Sequence, residues 1–265
     1  MVTDRPGSGV QTIQRAAALI RTIGTHNRLG MRLVDLYRTL ELERPTAHRL
    51  LQGLVSEGLV RQDAQNKRYY LGPMIYELGL AATPKHPLRD ICHRYLHTIA
   101  KHTGDTVFLT VRAGLDGLCV DRVEGAFPIK VFVLEVGKRR PLNVGGGALA
   151  IMSAMPDVEV DRVCHANSER LSKRYPRYTD AVLLEKIAAA RQRGYALNEV
   201  LEVPGVRSVA VAIRDGRERP VAGISVATLA GRLQGDRATD AAELMLKCAS
   251  LIQDELQRLS PEDLA

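Results

Sequence analysis

Two stretches of the chain carry groups able to do chemistry. In RPTAHRLLQGLVSEGLV, from Arg44 to Val60, a helical turn of about 100° per residue puts Ala47, Leu50, Leu51, Leu54 and Val55 on one side. Pro45, Arg49, Gln52, Gly53 and Ser56 fall opposite, flanked by Thr46 and His48. This polar side is rich in hydrogen-bond donors and meets no acid until Glu57, so it faces either water or something anionic. Further on, Gly145 to Gly147 precede a helical stretch, where bare backbone N–H groups could hold an anion at the positive helix end. Close packing of backbone against a neighbour explains the same glycines equally well. The run is no Walker loop, because no Gly-Lys-Ser/Thr follows, and it does not match G-x-G-x-x-G.

Catalytic constellations are harder to find. His93 and His97 lie four apart beside Cys92, a spacing that can hold zinc, but the Glu of H-E-x-x-H is absent and no third ligand is evident. There is no G-x-S-x-G elbow, and Asp105, Asp116 and Asp121 lack the spacing of paired carboxylates. Cys92, Cys119, Cys164 and Cys248 form no C-x-x-C pair and read as buried thiols of a reducing cytoplasm. No catalytic residue, metal site or cofactor is therefore expected. No signal peptide is evident at the N-terminus and no run approaches the roughly 18 apolar residues of a membrane span, so a cytoplasmic protein without membrane partners is expected. Basic residues exceed acidic ones by 37 to 30 in the 265-residue chain, and residues 1–80 hold 11 basic against 7 acidic. That mild bias suits nucleic acid but does not require it.

The elements that must position the first stretch come in a definite order. Apolar residues recur with helical period at Val10, Ile13, Ala16, Ala17, Ile20 and Ile23, and MRLVDLYRTL reads as a second short helix. ELER leads into the third helix, whose Pro45 suits a first turn. LVRQ and RYYLG follow as extended segments joined by DAQNK. Three helices and a hairpin are the order of a winged helix-turn-helix. In that motif the third helix projects its polar side into the major groove, where arginine donates to guanine and phosphate and His or Thr reach base edges. Arg44, Pro45, Thr46, His48, Arg49 and Gln52 would form the reading face, with Lys67 and Arg68 beside phosphates at the hairpin turn.

In the remaining chain PLRDICHRYLHTIAKHTG is helical, and TVFLTVRA, GLCVDRVEG and KVFVLEVGKR are β-rich. Helices are expected at Gly147 to Met155, Asp157 to His165 and Asp180 to Arg193. The strands VRSVAVAIRD and RPVAGISVA, joined by GRE, precede a closing helix from Thr239 to Leu259. Hairpin-connected strands with grouped helices imply an α+β domain with a mainly antiparallel sheet.

The run LELERPTAHRLLQGLVSEGLVRQD with YYLG resembles the DNA-binding half of the IclR family of bacterial transcriptional regulators. The resemblance continues through VGKRRPLNVGGGALAIMSA, RGYALNEVLEVPGVRSVAVAIRDGRERPVAGISV and the closing helix. It implies a winged helix-turn-helix over residues 1–71, a linker helix over 72–83 from GPMIYELGLAA, and a GAF-like effector-binding domain over 84–265. The prolines at 84 and 87 would mark the boundary. It further implies an effector pocket drawing on Ile129, Phe132, Gly146, Gly147, Asn198, Val206, Ser208, Ser225 and Ala227, with a small carboxylic acid as ligand. Partners would be double-stranded operator DNA and further copies of the chain, as dimers or paired dimers. Two departures stand out: three glycines where the loop often carries Ser-Gly-Ala, and Ala227 where a second serine often follows. Both enlarge or dry the pocket and favour a bulkier or aromatic acid. The rival readings are an enzyme using the glycine-loop pocket and a sensor whose winged helix contacts protein.

Overall fold

The computed structural model describes residues 8–27, 29–82 and 87–258. Contacts divide the chain into two units, Met1–Pro84 and Lys85–Ala265. Residues 83–86, which include the expected boundary at Pro84, lie outside the described residues.

The first unit contains α1 (Ser8–Thr25), α2 (Leu33–Thr39), α3 (Arg44–Ser56), the hairpin β1 (Val60–Gln62) and β2 (Tyr69–Leu71), and α4 (Pro73–Ala82). Its core joins Leu19 and Ile23 of α1, Leu36 of α2, Leu51 and Leu54 of α3, and Val60 and Tyr69 of the hairpin. The expected α1 stripe is only half realised. Val10 and Ile13 are exposed, because the core begins at Ala16, where α1 first meets its neighbours. Pro45 occupies the first turn of α3, where its missing N–H leaves no gap, and Ala47, Leu51 and Leu54 pin that helix to the core.

The second unit contains α5 (Pro87–Thr103), β3 (Thr106–Ala113), β4 (Asp116–Val123), β5 (Arg139–Pro141), α6 (Gly146–Ser153), α7 (Asp157–Arg174), α8 (Asp180–Arg193), β6 (Ala196–Glu199), β7 (Val206–Arg214), β8 (Pro220–Leu229) and α9 (Asp236–Gln257). The sheet order is β5-β4-β3-β8-β7-β6, with antiparallel neighbours throughout. Strand alternation decides what each face receives. Val107 and Leu109 of β3, Val209 and Val211 of β7, and Ile224 and Val226 of β8 meet α5 and α9 in the largest core. Phe108, Ser208, Ser225 and Ala227 alternate with them, and Gly146 of α6 closes onto Ser208 and Ser225.

This is the expected fold class, a winged helix-turn-helix and an α+β unit of GAF type. Three elements differ from expectation. KVFVLEVGKR supplies only the start of β5, since residues 130–138 form a loop, and Val131, Val133 and Leu134 fold down onto Phe108, Cys119 and Ala227. The short β6 was not expected, and α7 runs on to Arg174 rather than ending at His165. The expected end of the closing helix, Leu259, lies outside the described residues.

Candidate functional sites

On α3, Arg44, Pro45, His48, Arg49 and Gln52 are exposed and Thr46 is half-buried. None of the three cations or cation-capable groups on this face has an acidic partner among the described residues. Arg44 and His48 line a concavity of about 560 Å³ between α2, α3 and the wing, together with Arg32, Gln62, Asn66 and Lys67. The wing is organised from within. The Asp63 carboxylate accepts the N–H groups of Gln65 and Asn66, both at 2.9 Å, and those bonds hold its pKa below the ordinary value. Lys67 takes φ 56° at the turn and is exposed. Arg68 departs from the phosphate-facing expectation. Its guanidinium donates to the carbonyls of Leu29, at 3.3 Å, and Gly30, at 2.9 Å, so it braces the turn after α1. Arg32, Gln62 and Asn66 were missed, because nothing in the one-dimensional pattern brings α2 and the wing to α3.

The second site lies where α6 meets the sheet. Gly145 caps the helix at φ 101°, a region that side-chain-bearing residues avoid. A Cβ on Gly146 would fall 2.4 Å from Ser208 Oγ, and one on Gly147 would fall 2.9 Å from Thr110 Oγ1. The glycines therefore let the helix start approach the strands closely, and the same approach brings Ser208 and Ser225 to its first turn. Both readings of the glycine run are thus compatible. Phe108, Val133, Leu134, Val144, Val200 and Ala227 form the apolar wall, while Thr110, Arg140, Ser208 and Ser225 supply polar groups. The open space at its centre is about 30 Å³.

The expected pocket residues are not all brought together. Gly146, Gly147, Ser208, Ser225 and Ala227 line the space. Ile129 and Phe132 do not: they are 56% and 52% exposed, and Phe132 lies under the Arg122 guanidinium at 4.6 Å. Their segment turns the alternate side chains inward, so Val133 and Leu134 take the place they were expected to fill. Val206 is buried beside Phe108 and Cys119 without lining the space. Asn198 lies behind Ser208, with Lys186 donating to its Oδ1 at 3.0 Å and the Ser208 hydroxyl to its carbonyl at 3.4 Å. Burial lowers the pKa of Lys186. Arg140 was missed altogether.

Elsewhere, a roomier cleft of about 490 Å³ runs between α6, α8, β7 and α9, walled by small residues such as Ala150, Ala190, Ala212 and Ala249. Its arginines are already engaged, Arg191 with Asp157 at 2.6 Å and Arg214 with the Glu218 carbonyl at 2.9 Å. His93 Nδ1 donates to the buried Asp121 carboxylate at 2.7 Å, and the ring stands edge-on to His97 at 4.7 Å.

Comparison with known proteins assigns both units. The model of the IclR helix-turn-helix domain matches residues 12–64, and that of the bacterial transcriptional regulator IclR C-terminal domain matches residues 80–254. The glycerol operon regulatory protein of Streptomyces griseus is 31% identical over 251 residues, covering 93% of this chain and 96% of its own. The transcriptional repressor IclR of Escherichia coli is 24% identical, covering 94% and 91%. An IclR transcriptional regulator from Alicyclobacillus acidocaldarius shares the fold with TM-score 0.74 at 22% identity, covering 92% of this chain and 98% of its own. An IclR homologue from Microbacterium hydrocarbonoxydans, solved with 4-hydroxybenzoate, gives 0.70 at 20% identity, covering 92% and 98%. With both units matched and relatives aligned over nearly their whole length, this chain belongs to the IclR family of bacterial transcriptional regulators, not to a family of enzymes.

Proposed function

We infer that the chain is a ligand-responsive regulator whose winged helix-turn-helix domain, residues 1–71, reads operator DNA with α3. An effector-binding domain, residues 84–265, holds a small carboxylic acid at the α6 pocket, and a linker helix over residues 72–83 joins the two. Arg44, Thr46, His48, Arg49 and Gln52 face the groove, with Pro45 fixing the helix start and Lys67 beside a phosphate. Two copies of the chain meet the two halves of a pseudo-palindromic operator. The observation that carries the ligand class is the pairing of Ser208 and Ser225 with the first turn of α6 beside an apolar wall, a combination that suits a carboxylate on an apolar body. The complex of a relative with 4-hydroxybenzoate agrees with that chemistry. A catabolic operon is the expected target.

The test is a mobility shift with DNA upstream of the chain's own gene, repeated with candidate acids, and calorimetry of those acids against wild type and Ser225→Ala. Loss of a hydroxyl bonded to a charged group should weaken the best ligand about ten- to a hundredfold. Equal binding by both proteins would put the ligand elsewhere, and absence of any shift would remove the DNA half.

A further inference from the structure

One charged group at the α6 pocket has no partner of opposite charge among the described residues. Arg140 stands on β5 opposite Gly117, and both border the pocket. Its guanidinium donates to the Val133 carbonyl, its one hydrogen bond among the described residues. Its Nε is buried with no acceptor, and no carboxylate pairs with it among those residues. The adjacent cation differs: Arg139 pairs with Asp116 at 3.7 Å. Lys138 feels the imbalance, its pKa lowered by burial and then by the Arg140 charge. A guanidinium with an unsatisfied buried donor is costly to the folded chain, and a planar anion with two acceptor oxygens removes that cost. Val133 belongs to the loop that walls the pocket and narrows its open space to about 30 Å³.

We propose that Arg140 is the charge-reading residue of this pocket and also its latch: empty, it ties the Val133 loop down, and a ligand carboxylate takes over the guanidinium and frees the loop. The proposal rests on the α6 pocket being the effector site and narrows the ligand to planar monocarboxylates with an apolar body. A fork of N–H donors fits a carboxylate with two parallel bonds, whereas the matching amide offers one acceptor and turns a donor toward the cation. Specificity for the acid therefore resides in Arg140, with the serines and helix amides serving acid and amide alike.

The experiment uses the full chain, titrated by calorimetry with benzoate, 4-hydroxybenzoate and phenylacetate, each beside its amide. Wild type should prefer an acid over its amide by roughly tenfold or more. Arg140→Met should bind the two alike, and Arg140→Lys, which keeps the charge without the fork, should fall between. Without ligand, Arg140→Met should also speed hydrogen exchange at Gly137, the loop amide that donates to the Cys119 carbonyl at 2.8 Å, while leaving the β3 and β8 amides protected, which separates loss of the latch from failure to fold. An acid preference that survives in Arg140→Met overturns the charge-reading role and leaves the pocket reading standing. Unchanged exchange at Gly137 overturns the latch. If no acid binds wild type, the carboxylate reading of the pocket falls and this proposal falls with it.

Discussion

Replacing Gly146 by alanine tests the geometry on which the pocket depends. The added Cβ would stand 2.4 Å from Ser208 Oγ, 3.2 Å from Ser208 Cβ and 3.7 Å from Ser225 Cβ. Ser208 sits mid-strand in β7, paired with Asn198 and Ala227 on either side, so its backbone cannot retreat. Only its hydroxyl can swing, giving up the 3.4 Å bond to the Asn198 carbonyl. Overpacking of this kind costs about 1–3 kcal/mol, and alanine's better helix preference offsets up to about 1 kcal/mol. The net loss is about 0.5–2 kcal/mol, read as about 2- to 30-fold faster hydrogen exchange at β7 and β8 amides where exchange follows the opening equilibrium. Adding Ser208→Ala removes the 2.4 Å approach and should recover at least half of the loss, a coupling that only touching residues show. Gly53, on the exposed side of α3 with nothing within 4 Å, is the control: Gly53→Ala should stabilise the first unit by about 0.5–1 kcal/mol. If Gly146→Ala exchanges no faster than wild type, or Ser208→Ala fails to rescue it, α6 does not approach the sheet as described.

Arg49→Ala should abolish operator binding, at about 1–3 kcal/mol per base contact in each half-site, with the second unit still folded; wild-type affinity in a mobility shift would contradict the groove assignment. Lys67→Ala should weaken binding to all sequences alike and lower the salt slope by about one for each phosphate that the lysine neutralises. Arg68→Ala should instead change the salt slope less than Lys67→Ala and loosen the wing, seen as faster exchange around Gly30 and Tyr69, because its Nη1 is held by the Leu29 and Gly30 carbonyls. All four cysteines are buried, and burial pushes the Cys92 and Cys119 thiols up to about 12 and Cys164 to about 11. A thiol reagent at about pH 8 should therefore label none in the native chain and all four in denaturant; native labelling of any one would contradict its burial.

Elements whose apolar spacing matches their packing were legible in the sequence, and those that pack in an unusual way were not. α3 could be read because one face must meet a core and the other cannot, and β3, β7 and β8 because their alternation serves two packed faces at once. The loop over 130–138 has the same β-forming alternation, yet β4 is already bordered there by β5 through only three residue pairs. Its inward residues pack on Phe108, Cys119 and Ala227 instead of joining a ladder. Alternation reports which side chains are buried and leaves the partner open. Phe132 was expected inside from the family resemblance, and Val133 is found there instead. Arg140 was invisible for a related reason: within Lys138-Arg139-Arg140 only the fold decides which cation finds Asp116 and which turns to the pocket. The glycine run was read as either anion cradle or close packing, but the two are linked, since the 2.4 Å approach to Ser208 is what would put hydroxyls beside the helix amides.

A pocket that is closed when empty sets its own selectivity. If the latch operates, an acid lifts Val131, Val133 and Leu134 from Phe108 and Cys119 as it enters. Exposing such side chains costs about 1.5–3 kcal/mol each, and a two-carbon acid returns almost no apolar burial in exchange. An aromatic ring buries roughly 150–250 Å², or about 4–6 kcal/mol, which is enough to offset much of the opening. Ala227 and the three glycines leave that ring unobstructed once the loop has moved, whereas serine or alanine side chains there would narrow the floor. Affinity should therefore rise with apolar area, benzoate above glyoxylate, with a negative heat-capacity change that grows in the same order. Calorimetry across temperature measures both. A two-carbon acid bound most tightly, with Gly137 no faster to exchange, would mean that the loop stays down and that apolar area does not set the selectivity.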